Sequence, residues 1–111
     1  YKAEYLTARF LLKALAFVGY GLHVTSSCEV CGCKEILRPL FNADNGVFTC
    51  GDCAVEGARE VKVSTLKEVV SASFGEYHEN FDYKGALRLI EYYLSVKTDE
   101  KLSSLKELNR L

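Results

Sequence analysis

The sequence has no methionine and no tryptophan, and it holds a single proline, Pro39. Without tryptophan, the aromatic mass rests on 7 tyrosines and 6 phenylalanines. A chain that opens on Tyr1-Lys2-Ala3-Glu4-Tyr5 rather than methionine is expected to be a piece of a longer protein, with something preceding it. The longest apolar run, Phe10 to Tyr20, is interrupted by Lys13 and is too short to span a bilayer. No basic leader with a small-residue cleavage site precedes it, so no signal peptide is expected. There is no Asn-x-Ser/Thr sequon. Charge of one sign is lacking too. The net charge of -1 excludes a whole-chain field that draws the molecule onto nucleic acid.

Catalytic signatures are also missing. No P-loop, GxSxG, HExxH or deaminase HxE pattern occurs. His23 and His78 stand far apart, outside any ligand or triad pattern, and Glu76, Glu79 and Asp82 around His78 read as a solvated loop. The expectation is a protein that is not an enzyme.

What is present is a length of 111 residues, enough for one domain with a modest core. Residues 1–18 read as a helix, with Tyr5, Leu6, Phe10, Ala14, Leu15 and Val18 at the helical period and Gly19 and Gly21 as stop signals. The apolar face is wide, so this helix is expected to be buried on most sides. Ile36–Phe41 and Val47–Cys50 flank a turn in which Asn45-Gly46 can take positive φ, which is a hairpin signal. Pro39 on the first arm suggests an edge strand.

A second helix is expected near Ser64-Thr65. Thr65 and Glu68 have capping-box spacing, and Leu66, Val69, Val70 and Phe74 form its stripe. A third covers about Tyr83–Ser95, with Leu87, Ile90, Tyr93 and Leu94 on one side. A fourth is expected from Asp99, capped by Thr98, with Leu102, Leu105 and Leu108 as its stripe. The fold class is therefore mostly α. Residues 1–111 form one helical domain, with a four-cysteine zinc hairpin, residues 28–53, inserted after the first helix.

The 5 cysteines are too odd a number for a disulfide framework. Cys28-x-x-Cys31 and Cys50-x-x-Cys53 instead have the paired spacing of a zinc site in a reducing compartment. A CxxC turn sets two thiolates one tetrahedral edge apart, and a hairpin brings two such turns together. Gly32 and Gly51 let backbone N–H groups turn toward the sulfurs. Four thiolates close the shell, so one structural Zn²⁺ is expected and metal catalysis is not. Cys33 is left over and reads as a bystander beside the knuckle. The alternative of a thiol-redox pair in Cys50-Gly-Asp-Cys53 lacks both a good following helix and a later proline.

The order of these features resembles a known family. An apolar helix ends in Phe17-Val18-Gly19-Tyr20-Gly21, before Cys28-x-x-Cys31-Gly32. A hairpin then turns at Asn45-Gly46 into Val47-Phe48-Thr49-Cys50-x-x-Cys53. Val63-Ser64-Thr65-Leu66 opens a helix, and Leu87-Arg88-Leu89-Ile90-Glu91-Tyr92-Tyr93-Leu94 forms another. This is similar to the C-terminal region of the RecO recombination mediators. The resemblance implies a helical, zinc-bearing region that follows an N-terminal OB-fold, and a bacterial, cytoplasmic, nucleoid-associated setting. It implies work with RecR and RecA, docking of the acidic tail of single-stranded-DNA-binding protein (SSB), and contact with single- and double-stranded DNA mainly through the OB-fold. That OB-fold is absent here, and Leu22-His23 stand where some members have a proline.

Charge separates a mediator domain from a freestanding zinc module that grips nucleic acid. The cysteine module sets Lys34 and Arg38 against Glu29, Glu35, Asp44 and Asp52, the wrong balance for phosphates. Candidate DNA- or partner-binding residues therefore lie on the helices: Arg9 and Lys13, Lys84 and Arg88, then Lys97 and Lys101, with Arg110 beyond. For a peptide tail, Phe10 and Ala14 beside Arg9 and Lys13, or Arg88 beside Tyr92, offer an apolar contact with a cation at its rim.

Overall fold

A computed structural model describes residues 1–24, 28, 31–32, 38–53 and 56–109, with the side chains of 52 and 101–109 left outside the description. The order of elements is α1 (Ala3–Phe17), β1 (Leu40–Asn42), β2 (Val47–Thr49), a 3-10 turn (Gly51–Cys53), β3 (Arg59–Glu60), α2 (Val63–Phe74) and α3 (Lys84–Asn109). Helix α1 packs against both α2 and α3, which also pack on each other.

Helix α1 ends as the glycine signal predicts. Gly19 takes φ +90°, and the Tyr20 N–H reaches back to the Leu15 carbonyl at 2.8 Å. Its buried residues are Tyr5, Ala8, Leu12 and Leu15. The expectation of burial on most sides is wrong. Leu6, Phe10, Phe17 and Val18 are exposed, and Phe17 is 92% accessible. Helical spacing puts Leu6, Phe10 and Phe17 opposite the core-facing stripe, and an apolar composition alone does not say which side meets the core.

Helix α2 starts at Val63 after Lys62, and no side chain caps it. The expected capping box does not form. Thr65 is already inside the helix, and Glu68 is buried with its Oε1 accepting the Ala86 N–H at 3.2 Å. Glu68 thus serves the first turn of α3 instead of its own helix. Phe74, placed in the apolar stripe by period, is 62% exposed at the helix end. Gly75 at φ +74° closes the helix.

The expected third and fourth helices are one. Helix α3 runs 26 residues without a break, because Thr98-Asp99 is a capping preference and no Gly or Pro follows Gly85 to interrupt the ladder. Ala86, Leu89, Ile90 and Tyr93 are its buried stripe. Tyr83, just before it, has φ +61° and is fully buried. Its hydroxyl bonds to Ser71 Oγ at 2.7 Å and accepts the His78 N–H at 2.8 Å, which holds the backbone in that unfavourable region.

The hairpin forms, with Leu40 opposite Thr49 and Asn42 opposite Val47. Its loop is longer than a two-residue turn. Gly46 N–H bonds to the Asn42 carbonyl at 2.8 Å, and only Gly46 of the Asn45-Gly46 pair takes positive φ, at +66°. The sheet has the order β2-β1-β3, so the strand next to Pro39 is central rather than an edge. Pro39 is tolerated because it precedes β1 and offers only its carbonyl, which accepts the Val61 N–H at 2.9 Å. The two-residue strand β3 was not expected. Phe41 and Phe48 are buried with ring centroids 5.0 Å apart, and Phe41 meets Tyr93 edge-on at 5.8 Å. That contact seats the hairpin on α3.

Candidate metal centre and adjoining cleft

Cys50 follows β2 directly, and the 3-10 turn after it carries Cys53, with the Cys53 N–H on the Cys50 carbonyl at 3.0 Å. Cys28 and Cys31 sit on a second turn, closed by the Gly32 N–H on the Cys28 carbonyl at 2.9 Å. The chain reverses there, and Gly32 takes φ +74°, which a side chain would oppose. The Sγ atoms of Cys28, Cys31, Cys50 and Cys53 all lie within 4.8 Å of one another. Cys31 and Cys50 Sγ are 3.7 Å apart. Tetrahedral thiolate ligands at ~2.3 Å from zinc stand about 3.8 Å from each other, so the donor set and its spacing fit that ion.

Backbone donors already point at the sulfurs. Cys28 Sγ receives the N–H of Cys50 at 3.3 Å and that of Cys31 at 3.5 Å. Cys28 and Cys50 are buried, Cys53 is half-buried and Cys31 is exposed. The Cys53 thiol is pushed up to about 12 by hydrogen bonds with Cys50 and Cys31, then by burial, then by Cys28. Thiols crowded together hold their protons, and a cation that binds them must displace those protons. Cys33 lies outside the described residues.

The helical candidates fall into separate places. Arg9 is half-buried, and its Nη1 donates to the Ala72 carbonyl at 2.9 Å. With Lys13 it borders a small hollow of about 180 Å³ between α1 and α2. Lys97 reaches the hairpin, where its Nζ donates to the Asp44 carbonyl at 2.8 Å and lies 5.6 Å from the Tyr93 ring centroid. The side chain of Lys101 and all of Arg110 lie outside the described residues.

Lys84 and Arg88 line a cleft of about 650 Å³ where α2 and α3 begin and β3 passes. Half-buried Phe81 and Tyr92 supply its apolar surface, Phe41 and Leu89 in the lining being buried, and Arg59 and Lys62 stand among its lining cations. The Arg59 guanidinium sits over the Tyr92 ring, 4.6 Å from its centroid. Sequence reasoning missed Arg59 and Lys62. Their only local signal is the charge–apolar alternation of Arg59-Glu60-Val61-Lys62, too short to read as a strand.

The carboxylates of the cleft are engaged. Glu60 bonds to Arg38 Nε at 3.2 Å, and Asp82 Oδ1 accepts the Lys84 N–H at 2.9 Å. Burial raises the Glu68 carboxyl above its ordinary range, and the Lys84 N–H is the largest cause holding Asp82 below its own.

A family model described as "Recombination protein O C terminal" matches residues 2–106. The chain belongs to the recombination protein O C-terminal family. It is 30% identical over 67 residues to the DNA repair protein RecO of Caldicellulosiruptor bescii. That stretch is 60% of this chain and 27% of the relative. No solved structure matches the chain significantly. Among the described residues, no helix is long and apolar enough to cross a membrane.

Proposed function

We propose that this chain is a DNA repair and recombination mediator domain of the RecO type, a docking module with no catalytic role of its own. A zinc ion held by Cys28, Cys31, Cys50 and Cys53 braces its hairpin. The observation that carries the metal reading is the four Sγ atoms gathered within 4.8 Å, with Cys31 and Cys50 spaced as tetrahedral ligands are and Cys28 receiving a backbone N–H. Membership of the family, whose matched relative is a DNA repair protein, supports the mediator role.

The partners in this reading are RecR, RecA and the acidic tail of SSB, with DNA contacted mainly outside this domain. The cleft suits a peptide with acidic residues and an apolar tip. Phe81 and Tyr92 would receive the apolar side chain, and Lys84 and Arg88 would meet the carboxylates. The hollow beside Arg9 is smaller, and Arg9 is already bonded to Ala72. Titrating a labelled SSB tail peptide tests the assignment. Arg88→Glu is expected to weaken binding tenfold or more, with zinc content and helicity intact and with affinity falling as salt rises. Equal binding by wild type and Arg88→Glu would reject the cleft.

A further inference from the structure

The cleft has two kinds of wall. The wall from α2 and α3 rests on the helical core, where Val69, Tyr83, Ala86 and Ile90 are fully buried. The opposite wall is β3 and the residues after it, where Val61 is half-buried against the core and the rest is held by lighter contacts. Arg59 and Glu60 are both exposed, so β3 buries no apolar side chain. It is held by pairing to β1, with Phe41 opposite Arg59 and Leu40 opposite Glu60, and by the Val61 N–H on the Pro39 carbonyl. The Arg38–Glu60 ion pair adds little, because its side chains are 75% and 58% exposed.

The cysteine cluster closes the loops on either side of this strand. Cys50 directly follows β2, the other neighbour of β1, and Cys53 begins the short path into β3. Cys31 lies on the path into Arg38 and β1. The strands β1 and β2 have a second anchor, since Phe41 and Phe48 are buried and Phe41 meets Tyr93 of α3. β3 has no buried aromatic of that kind, only Arg59 over the Tyr92 ring and the half-buried Val61 after it. A metal at the cysteines would therefore matter more for β3 than for β1 and β2.

Resting on the reading of the cleft as a docking site for an acidic peptide, we propose that Arg59 is one of its recognition cations. We propose further that metal occupancy of the cysteine cluster sets the position of Arg59, coupling the brace to the cleft. Arg59 stacked on Tyr92 shares the cleft with Arg88, and the two forks would then serve one set of carboxylates. Without metal, the segment from Cys53 to β3 loses its fixed end, and Arg59 leaves the Tyr92 ring. The helical wall stays.

The test uses a fluorescein-labelled peptide, Asp-Asp-Asp-Leu-Phe with a free terminal carboxylate, and amide hydrogen exchange measured without peptide. Zinc-loaded wild type, chelator-stripped wild type, and zinc-loaded Arg59→Ala and Tyr92→Leu are compared. Stripping is expected to speed exchange at Glu60 and Val61 while exchange in α2 and α3 holds. Peptide affinity is expected to fall about three- to tenfold in each of the three altered proteins, and Arg59→Ala should lose little more on stripping. Unchanged exchange at Val61, or stripped protein that binds as tightly as loaded, would overturn the coupling. Loss of the helical signal on stripping would overturn it too, since the helical wall is argued to stand alone. If loaded wild type binds no peptide, the docking reading fails, and exchange at Val61 still decides whether metal sets β3.

Discussion

Thr49 lies beside Cys50 at 1% exposure, and its hydroxyl has no hydrogen-bond partner among the described residues. A buried hydroxyl with no partner costs free energy without any return in stability. Thr49→Val keeps the β-branched shape that suits β2 and removes that cost. It should leave stability unchanged or raise it by up to about 2 kcal/mol, read as a higher urea midpoint at an unchanged slope. Tyr83 is the opposite case. Its hydroxyl links Ser71 and the His78 N–H at a residue with φ +61°. Tyr83→Phe keeps the ring and strands those partners, so it should lower stability by about 1–3 kcal/mol in the same measurement.

Between elements, the contact of α2 with the start of α3 is decided by charge and by close approach. Gly85 leaves no room for a side chain, because a Cβ there would stand 2.6 Å from Thr65 Oγ1 and 3.1 Å from Glu68 Oε1. The buried Glu68 accepts the Ala86 N–H, and burial raises its pKa. The folded state therefore holds that proton more tightly than the unfolded chain does. Stability from this group is full below the ordinary glutamate value and is lost as pH rises through the raised one. Asp82 has the reverse sign. Its lowered pKa gives stability above the ordinary aspartate value, lost as pH falls through the depressed one. Glu68→Gln keeps an acceptor for Ala86, so thermal melts across pH should lose the decline on the side above the ordinary glutamate value. Asp82→Asn should flatten only the acid side. An unaltered profile for Glu68→Gln would mean that the carboxyl is not protonated more tightly on folding.

The same scale shows what was legible beforehand. The paired CxxC turns, the Gly19 stop and the Asn45-Gly46 hairpin were readable because each depends on a few neighbouring residues. Helix α1 was readable in extent but not in orientation, since Leu6 and Phe10 are as apolar as Leu12 and Leu15 and face away from the core. Thr65 and Glu68 have the spacing of a cap, yet Glu68 found its donor in another helix. Thr98-Asp99 looked like a new start, but a capping preference does not break a helix that nothing else interrupts. β3 and the cleft could not be read at all. Arg59 and Arg88 line one cleft only because β1 pairs with β3 and Arg59 reaches Tyr92 of α3, and neither contact leaves a local pattern.

Across the whole molecule, the distribution of charge decides how it should meet DNA. The net charge is -1, and among the described residues Arg9, Lys97 and the Lys84–Arg88 pair stand in separate places rather than along one stripe. Arg9 is bonded to the α2 carbonyl of Ala72, Lys97 to the hairpin, and Lys84 and Arg88 border a cleft that also contains Glu60, Glu68 and Asp82. Affinity for a phosphate backbone grows with the number of counterions released, and each released ion needs a cation placed along the strand. A cleft whose four cations, Arg59, Lys62, Lys84 and Arg88, stand among three carboxylates releases few. This chain alone should therefore bind single-stranded DNA weakly at physiological salt, and log-affinity against log-salt should have a shallow slope of roughly one or two ions. Fluorescence anisotropy with a labelled oligothymidine over a salt series measures both quantities. A steep slope, or tight binding that survives Lys84→Ala together with Arg88→Ala, would place a phosphate-tracking surface elsewhere on the domain and reject the division between a docking cleft here and DNA contact outside it.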